Sequence, residues 1–474
     1  MKKVTNIVEY KKNTTMSTAR DYLIKPFMKE ITSPNFHNTL NEMKIIVGKT
    51  GQGKTFTMAK DYIKELITRG VDIIIVSFPM TEILDHKDFA HLSKLGYVPA
   101  ENTEKALHLL RNGYEKILLL TCHQDFAVGR HSPKFKEFLQ TSGKEFAIFI
   151  DEAHTWLVSH LLNYRKCRGS HTPIYEAKLF NLLQELSTIS PYIFGLTATP
   201  HYEQIGKIEP IGTMKFRLIN KSAPKELLID KTAWFRGVKY YDPDFVNNKF
   251  EIHSLLEETI VNIFDTKIKK CMLITMGAEN AATKHDLDLG IRLVRQAIVV
   301  NDLADESEGV FATMVGEKNK TGVYTINENE FTQYSQDEIK AKLEDPDDPL
   351  RILLTVEKGK MGMSVRTLKT IFSFKTTDKK DEDKLPLVEF AIQLFGRLVR
   401  INTLMSKDEF TKKWGYSLEE YIKTLSEEEL LDLFEANSID LILPDNDMNR
   451  KAVDVFKDEF VSTVQQAKVH FKKK

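Results

Sequence analysis

A glycine-rich stretch near the beginning of the chain has residue types and spacing that suit phosphate binding. Residues 48–55 read GKTGQGKT, which fits GxxxxGK[ST], and they follow an apolar run that predicts a strand over Lys44 to Val47. In such a loop the backbone amides point at phosphate oxygens, the lysine reaches the β- and γ-phosphates, and the final hydroxyl binds Mg²⁺. The sequence therefore predicts an ATP and Mg²⁺ site built from Gly48, Thr50, Gly51, Gly53, Lys54 and Thr55.

Two adjacent carboxylates follow a second apolar run. The run FAIFI, residues 146–150, predicts a buried strand, and Asp151-Glu152-Ala153-His154 comes directly after it. Parallel sheets bind ligands at the carboxyl ends of their strands. We expect Asp151 to hold Mg²⁺ together with Thr55, and Glu152 to polarise the water that attacks the γ-phosphate. Alone, an acidic pair after a strand is more often a helix N-cap, but together with the glycine-rich loop it predicts a hydrolysis site.

Four motifs occur in an order that resembles superfamily 2 helicases and translocases. They are GKTGQGKT, DEAH at 151–154, LTATP at 196–200 and QLFGRLVR at 393–400, which are similar to motifs I, II, III and VI. The resemblance extends over about residues 40 to 402. Within the superfamily the chain resembles DEAH-box members of the restriction-subunit or phage type.

The resemblance implies two RecA-like domains that enclose ATP. It implies that Arg397 and Arg400 are arginine fingers and that Gln393 lies near the phosphates or the attacking water, so the catalytic residues are Glu152, Gln393, Arg397 and Arg400. It also implies that His154, Thr197 and Thr199 couple the nucleotide state to movement.

The resemblance extends to nucleic-acid contacts. The segment TVEKGKMGMSV is similar to motif V, in which Thr355 and Gly362 would face the nucleic-acid backbone. Basic residues of the segment between motifs II and III, Arg165 and Lys166, suit phosphate contacts that carry no sequence information. Upstream of the glycine-rich loop, RDYL at 20–23 has leucine where related enzymes carry an adenine-reading glutamine.

Composition restricts the class of protein. The 474 residues include 67 Lys+Arg and 67 Asp+Glu, so no global positive charge attracts nucleic acid and any such surface must be local. The 42% of hydrophobic residues is typical of a globular protein. The three cysteines form no CxxC pair, and the longest apolar runs are only as long as a strand. We therefore expect a cytoplasmic protein without membrane contact.

The alternation of short apolar runs with amphipathic stretches predicts two tandem α/β domains with parallel sheets and a small helical C-terminal appendage. The predicted divisions are an N-terminal segment 1–40, a first domain 41–220, a linker 221–265, a second domain 266–403 and a helical region 404–474. The predicted strands are 44–47, 72–77, 116–121, 146–150 and 192–196 in the first domain, and 271–276, 351–356 and 368–374 in the second.

Together these features predict an ATP-dependent helicase or translocase. DNA is the preferred track, because LTATP after DEAH resembles DNA-acting members, whereas RNA-acting relatives more often show SAT at that place. The alternatives are an RNA helicase or remodelling ATPase, a packaging-type ATPase, which motif VI argues against, and a non-catalytic ATP-sensing scaffold, which Glu152 and the two arginines argue against. Size and lysine content suit a phage or mobile-element helicase, and no protein partner is indicated.

Overall fold

The chain forms two α/β units, Ser17–Pro224 and Lys225–Lys474. They are seen in a computed structural model. It describes residues 20–48, 52–79, 89–153, 174–197, 214–221, 234–244, 247–276, 284–305, 307–315, 321–326, 331–356, 365–374, 394–396, 398, 402, 405, 407–414, 421 and 424–460.

A seven-stranded sheet forms the centre of the first unit. Its order is β3-β4-β2-β5-β6-β1-β7, and every pair of neighbours is parallel. Parallel strands are covered on both faces, which explains why these segments are almost continuously apolar. The strands are β1 (Glu42–Val47), β2 (Ile73–Phe78), β3 (Val98–Ala100), β4 (Ile117–Cys122), β5 (Phe146–Ile150), β6 (Ile193–Thr197) and β7 (Lys215–Leu218).

Helices cover both faces of this sheet. Alternate residues of a strand point to opposite faces, so Ile73 and Ile75 of β2 enter one core while Ile74 and Val76 enter the other. The helices are Asp21–Ile31, Lys54–Thr57, which continues through a π-helical turn Met58–Tyr62 into Ile63–Thr68, and Thr103–Arg111, His123–Val128, Ser132–Thr141 and Ile174–Ser187. Two 3₁₀ turns, Phe36–Asn38 and Ala90–Leu95, complete the described elements.

The second unit contains an eight-stranded mixed sheet. Its order is β12-β11-β10-β13-β9-β14-β15-β8, in which β10 to β11 and β11 to β12 are antiparallel and the remaining pairs parallel. The strands are β8 (Trp234–Tyr241), β9 (Cys271–Met276), β10 (Phe311–Met314), β11 (Gly322–Tyr324), β12 (Phe331–Gln333), β13 (Ile352–Val356), β14 (Leu368–Ser373) and β15 (Ser438–Pro444).

The second sheet also separates two apolar cores. Leu353 and Ile371 lie in one core, whereas Ile352, Leu354 and Phe372 lie in the other. The described helices of this unit are Lys249–Phe264, Lys284–Val300, Gln336–Glu344, Lys407–Trp414, Glu427–Ala436 and Asp447–Phe460.

The strands predicted from sequence are all observed, with ends that differ by a residue or two. Two of the predicted divisions contain elements that the sequence did not indicate. The linker 221–265 contains β8 and a core helix of the second unit, and the helical region 404–474 contains β15, which lies between β14 and β8. The short run that forms β15 is flanked by helical patterns, and its place in the sheet depends on partners far away in sequence.

The structure also bears on membrane insertion. Within the part of the chain that it describes, no helix combines the length and apolar character needed to cross a bilayer.

Candidate nucleotide site

The glycine-rich loop connects β1 to a helix at the carboxyl edge of the first sheet. The strand ends at Val47, and the Gly48 amide donates a hydrogen bond to the Thr197 carbonyl at 2.9 Å. The helix begins at Lys54 after Gly53, whose φ of 81° lies in the left-handed region that glycine adopts at little cost. The strand, glycine turn and helix N-terminus that phosphate binding requires are therefore present.

Lys54 lies across the beginning of the loop. Its side chain is buried, and the ammonium donates to the Gly48 carbonyl at 2.9 Å. A Cβ atom on Gly48 would lie 2.8 Å from Lys54 Cγ and 2.9 Å from Leu23 Cδ2, closer than side-chain atoms pack. The absence of a side chain at residue 48 thus leaves room for the lysine stem.

Thr55 and Asp151 bring the loop and the acidic pair together. The Thr55 hydroxyl donates to Asp151 Oδ2 at 3.3 Å, although 96 positions separate the two residues. Burial and the neighbouring charge of Glu152 raise the pKa of Asp151 to about 6, while Lys54 and the bond from Thr55 act in the opposite direction. A buried carboxylate beside a hydroxyl supplies the hard oxygen ligands that Mg²⁺ prefers, so these residues fit that ion.

Glu152 has a strained backbone. Its φ is 47°, which costs a non-glycine residue about 1–2 kcal/mol. The Glu152 amide donates to Asp151 Oδ1 at 3.0 Å, and the next amide, of Ala153, donates to the Leu196 carbonyl at 2.8 Å. These bonds hold the turn after β5, and such strain concentrates at functional sites.

Strand β6 separates the two parts of the site, because it lies between β1 and β5. Its last residue, Thr197, is fully buried in register with Val47. Earlier in β6, a Cβ on Gly195 would lie 2.6 Å from Met43 Cε and 3.0 Å from Ala153 Cβ. The predicted coupling residue Thr197 therefore lies between the phosphate loop and the acidic turn.

His123 links three strand ends and was not predicted as a site residue. One ring nitrogen, Nδ1, lies 2.7 Å from Ser77 Oγ, and the other, Nε2, lies 3.1 Å from the carbonyl oxygen of Asp151. The side chain is buried between β2, β4 and β5. The apolar run before His123 predicts a strand but does not indicate which distant groups the ring contacts.

Arg20 packs on the helix that follows the phosphate loop. Its Nε donates to Thr57 Oγ1 at 3.2 Å, its guanidinium lies 4.7 Å from the centre of the Phe56 ring, and it forms an ion pair with Asp61. The helix Asp21–Ile31 is thereby tied to the nucleotide site at the residue that begins the upstream RDYL segment.

The structure describes only some of the predicted site residues. Thr355 lies in β13 of the second unit, buried and in register with Thr275 of β9. Ten predicted residues lie outside the described residues: Thr50, Gly51, His154, Arg165, Lys166, Thr199, Gly362, Gln393, Arg397 and Arg400.

Comparisons with known proteins give one family model and several solved structures to which this chain is similar. Residues 15–202 match the family model of the type III restriction enzyme res subunit. The chain resembles the solved structure of the ATP-dependent type ISP restriction-modification enzyme LlaBIII bound to DNA, with a TM-score of 0.50 and 10% identity over 96% of this chain and 33% of that one. It also resembles the DUF1998 helicase MrfA bound to DNA and AMPPNP, with a TM-score of 0.49 and 12% identity over 100% of this chain and 53% of that one.

This chain therefore spans about a third of the length of LlaBIII and about half of the length of MrfA. No curated protein sequence matches it. The fold-class prediction of two RecA-like α/β domains is confirmed. The family match over residues 15–202, together with this fold, confirms the resemblance to superfamily 2 helicases.

Proposed function

We propose that the protein is an ATP-driven motor that translocates along or unwinds nucleic acid, with DNA as the preferred track. The observation that carries this proposal is the hydrogen bond between Thr55 and Asp151, with Lys54 held against the Gly48 carbonyl beside them. It joins the phosphate loop and the acidic strand end at one edge of a parallel sheet, where such sheets bind ligands.

Four described residues of the first unit have a role in this proposal. Lys54 exchanges its carbonyl partner for the β- and γ-phosphate oxygens, which are charged and therefore stronger acceptors. Thr55 and Asp151 would hold Mg²⁺, which when bound would neutralise charge on the phosphates. Glu152 orients the attacking water and accepts its proton.

The second unit supplies the groups that depend on domain closure. In the proposal Arg397 and Arg400 bring positive charge to the γ-phosphate, and Gln393 lies beside the attacking water. His154, Thr197 and Thr199 transmit the nucleotide state, a role that the position of Thr197 between β1 and β5 supports. ATP binding favours the closed arrangement and hydrolysis releases it, so each cycle moves the protein along a strand.

The preference for DNA has two supports besides the LTATP sequence. The family model over residues 15–202 describes a restriction-enzyme subunit, and LlaBIII is an ATP-dependent restriction-modification enzyme whose solved structure is bound to DNA. With a net charge of +0, binding must come from local groups, and Thr355, Gly362, Arg165 and Lys166 are the proposed phosphate contacts.

A nucleic-acid panel tests the proposal. ATP hydrolysis is measured for the wild-type protein with no nucleic acid and with single-stranded, duplex and forked DNA and RNA, and Lys54→Ala serves as the inactive control. We expect DNA to accelerate hydrolysis well above the basal rate and RNA to do so less. Equal or greater stimulation by RNA would contradict the DNA assignment, and no stimulation by any nucleic acid would contradict the motor.

A further inference from the structure

A buried asparagine side chain pairs with the backbone at the end of β1. The Val47 amide donates to Asn220 Oδ1 at 2.7 Å, and Asn220 Nδ2 donates to the Val47 carbonyl at 2.7 Å. Both residues are almost fully buried. The side-chain amide thus makes the pair of hydrogen bonds that a neighbouring strand would make.

The place of Asn220 in the sheet explains why the pairing is needed. Beyond the last residues of β7, Ile219 donates to the Ile45 carbonyl at 3.0 Å. Val47 lies two positions further along β1, so its amide and carbonyl point to the same side as those of Ile45. Buried backbone groups without a partner are costly, and Asn220 supplies the partner where the backbone pairing ends.

The same side chain also contacts the helix Asp21–Ile31. Asn220 Nδ2 donates to the Tyr22 carbonyl at 3.1 Å. The next residue is Leu23, whose Cδ2 would lie 2.9 Å from a Cβ atom on Gly48. Asn220 therefore connects the strand before the phosphate loop, the helix beside that loop and the chain after β7.

An equivalent pairing occurs in the second unit. The Asn402 amide donates to Asn437 Oδ1 at 2.7 Å, and Asn437 Nδ2 donates to the Asn402 carbonyl at 3.0 Å. Both side chains are buried, and Asn402 is two positions after Arg400 in sequence. Two positions before Arg400 in sequence, the Leu398 carbonyl accepts a hydrogen bond of 2.7 Å from the buried ammonium of Lys369.

We propose that Asn220 and Asn437 are positioning residues for the ATPase. This inference rests on the proposed function. Asn220 fixes the peptide from which the phosphate loop departs, and hence the carbonyl against which Lys54 is held. Asn437 fixes the peptide that follows motif VI. Neither residue touches the nucleotide, and each acts through the backbone it holds.

The two residues predict different kinetic effects. Loss of the Asn220 bonds lets the loop shift in the resting protein, so nucleotide affinity falls. Loss of the Asn437 bonds affects groups that act in the closed arrangement, so kcat falls while nucleotide affinity in the resting protein stays the same. Displacement of a reacting group by about 1 Å costs up to about a hundredfold.

The experiment compares Asn220→Leu and the milder Asn220→Ser with Asn437→Leu and Asn437→Ser. Two controls remove buried hydrogen bonds elsewhere: Ser190→Ala, whose hydroxyl donates to the Phe146 carbonyl at 2.8 Å, and Asn449→Leu, whose amide donates to the Pro444 carbonyl at 2.8 Å. Melting temperature, the Kd for ADP from calorimetry, and kcat and KM for ATP are measured for each variant.

We expect every variant, controls included, to melt a few degrees below wild type. The Asn220 variants should weaken ADP binding at least about tenfold. The Asn437 variants should lower kcat at least about tenfold, with the Kd for ADP within about twofold of wild type. The control variants should change neither kcat nor the Kd for ADP. Asn220 or Asn437 variants that melt lower but otherwise match the controls contradict the proposal. If both substitutions at one of the two positions prevent folding, the proposal is also contradicted, because that residue would then serve the fold as a whole.

Wild type and Lys54→Ala separate this inference from the proposed function. If wild type binds no ADP, the proposed function fails and the positioning role fails with it. If wild type binds ADP and Lys54→Ala does not hydrolyse ATP, while the Asn220 and Asn437 variants match the controls, only the positioning role is contradicted.

Discussion

Each unit holds a buried backbone segment with an asparagine side chain, but the described residues near the carboxyl edges of the two sheets differ. Around β1, β5 and β6 of the first unit lie Lys54, Asp151 and Glu152, with ionisable groups close to one another. Near the ends of β9, β13 and β14 of the second unit lie Thr275, Thr355 and Ser373, which share one register across the sheet. These are neutral hydroxyl groups.

Parallel strands that end at a common edge therefore do not by themselves make a nucleotide site. Both sheets present the carboxyl ends of parallel strands, and both anchor a segment with an asparagine pairing. Among the residues that the structure describes, only the first unit adds a glycine turn, a lysine and a buried carboxylate whose pKa is raised to about 6. We therefore expect nucleotide affinity to come from the first unit, and rate and track binding to depend on both.

The largest effect is expected from Lys54→Ala. Removal of the ammonium that serves the β- and γ-phosphates should lower hydrolysis by at least about a thousandfold and weaken nucleotide binding. The matched control is Lys60→Ala in the same continuous helical segment, where the ammonium lies 3.2 Å from His91 Nδ1. Steady-state hydrolysis and ADP calorimetry check this prediction. Near-wild-type turnover of a folded Lys54→Ala protein would show that the first unit does not provide the nucleotide site.

Arg397→Ala and Arg400→Ala test the contribution of the second unit. Because arginine fingers act mainly on transition-state charge, kcat should fall by about a thousandfold while Kd for ADP stays close to wild type. Arg450→Ala, which removes an exposed ion pair with Asp445, is the control in the same unit. Unchanged kcat in both finger variants would confine catalysis to the first unit.

Glu152→Gln separates two roles at the acidic turn. It should retain ATP binding and lower hydrolysis by about a hundredfold or more, because the amide cannot accept the proton of water. Asp151→Asn should instead weaken Mg²⁺-dependent nucleotide binding, since it removes an ion ligand. Nucleotide binding measured with and without Mg²⁺ distinguishes the pair. Equal loss of affinity in both variants would make Glu152 a binding residue.

The track prediction concerns local charge. Arg165→Gln with Lys166→Gln should weaken DNA binding roughly tenfold and reduce the slope of log affinity against log salt by about one for each lost phosphate contact. The exposed pair Lys412→Gln with Lys413→Gln is the control. Fluorescence anisotropy over a range of salt concentrations measures the slopes. Identical slopes for wild type and the Arg165 and Lys166 variant would exclude these residues from the interface.

The smallest effect concerns stability and pH. Lys44 of β1 is fully buried, donates to the Pro191 carbonyl at 2.8 Å, and has a pKa that burial lowers to about 8. Between about pH 8 and its unfolded pKa near 10.4, the unfolded chain binds a proton that the folded chain does not, so stability rises with pH. Below about pH 8 the Lys44 side chain is protonated in both the folded and the unfolded chain, so the full cost of burying its charge lowers the stability of the fold.

Lys44→Met removes this titration. Wild type should gain stability relative to Lys44→Met from pH 8 to pH 10, by at most on the order of 3 kcal/mol. Urea unfolding of both proteins across this range measures the difference, in which the titration of other groups cancels. A constant difference would show that Lys44 keeps its ordinary pKa in the folded state. In the second unit, burial likewise lowers the pKa of Lys270, which forms an ion pair with Asp440.

Local sequence determined the parts of this protein in which neighbouring residues act together. The strand before Gly48, the glycine turn, Lys54 and Thr55 form one continuous segment, and the strand before Asp151 forms another. Both were predicted because apolar runs, glycine spacing and acidic pairs are local patterns. The common edge of these strands also followed, since parallel strands share one carboxyl edge.

Features that depend on partners far away in sequence could be read only from the folded structure. The pairing of β15 with β8 joins segments about 200 positions apart, and Asn220 meets Val47 across 173 positions. A short apolar run or a lone asparagine has the same local pattern whether it lies in a sheet, in a loop or on the surface. Its role depends on which backbone groups the rest of the fold leaves without a partner, and that is a property of the assembled sheet.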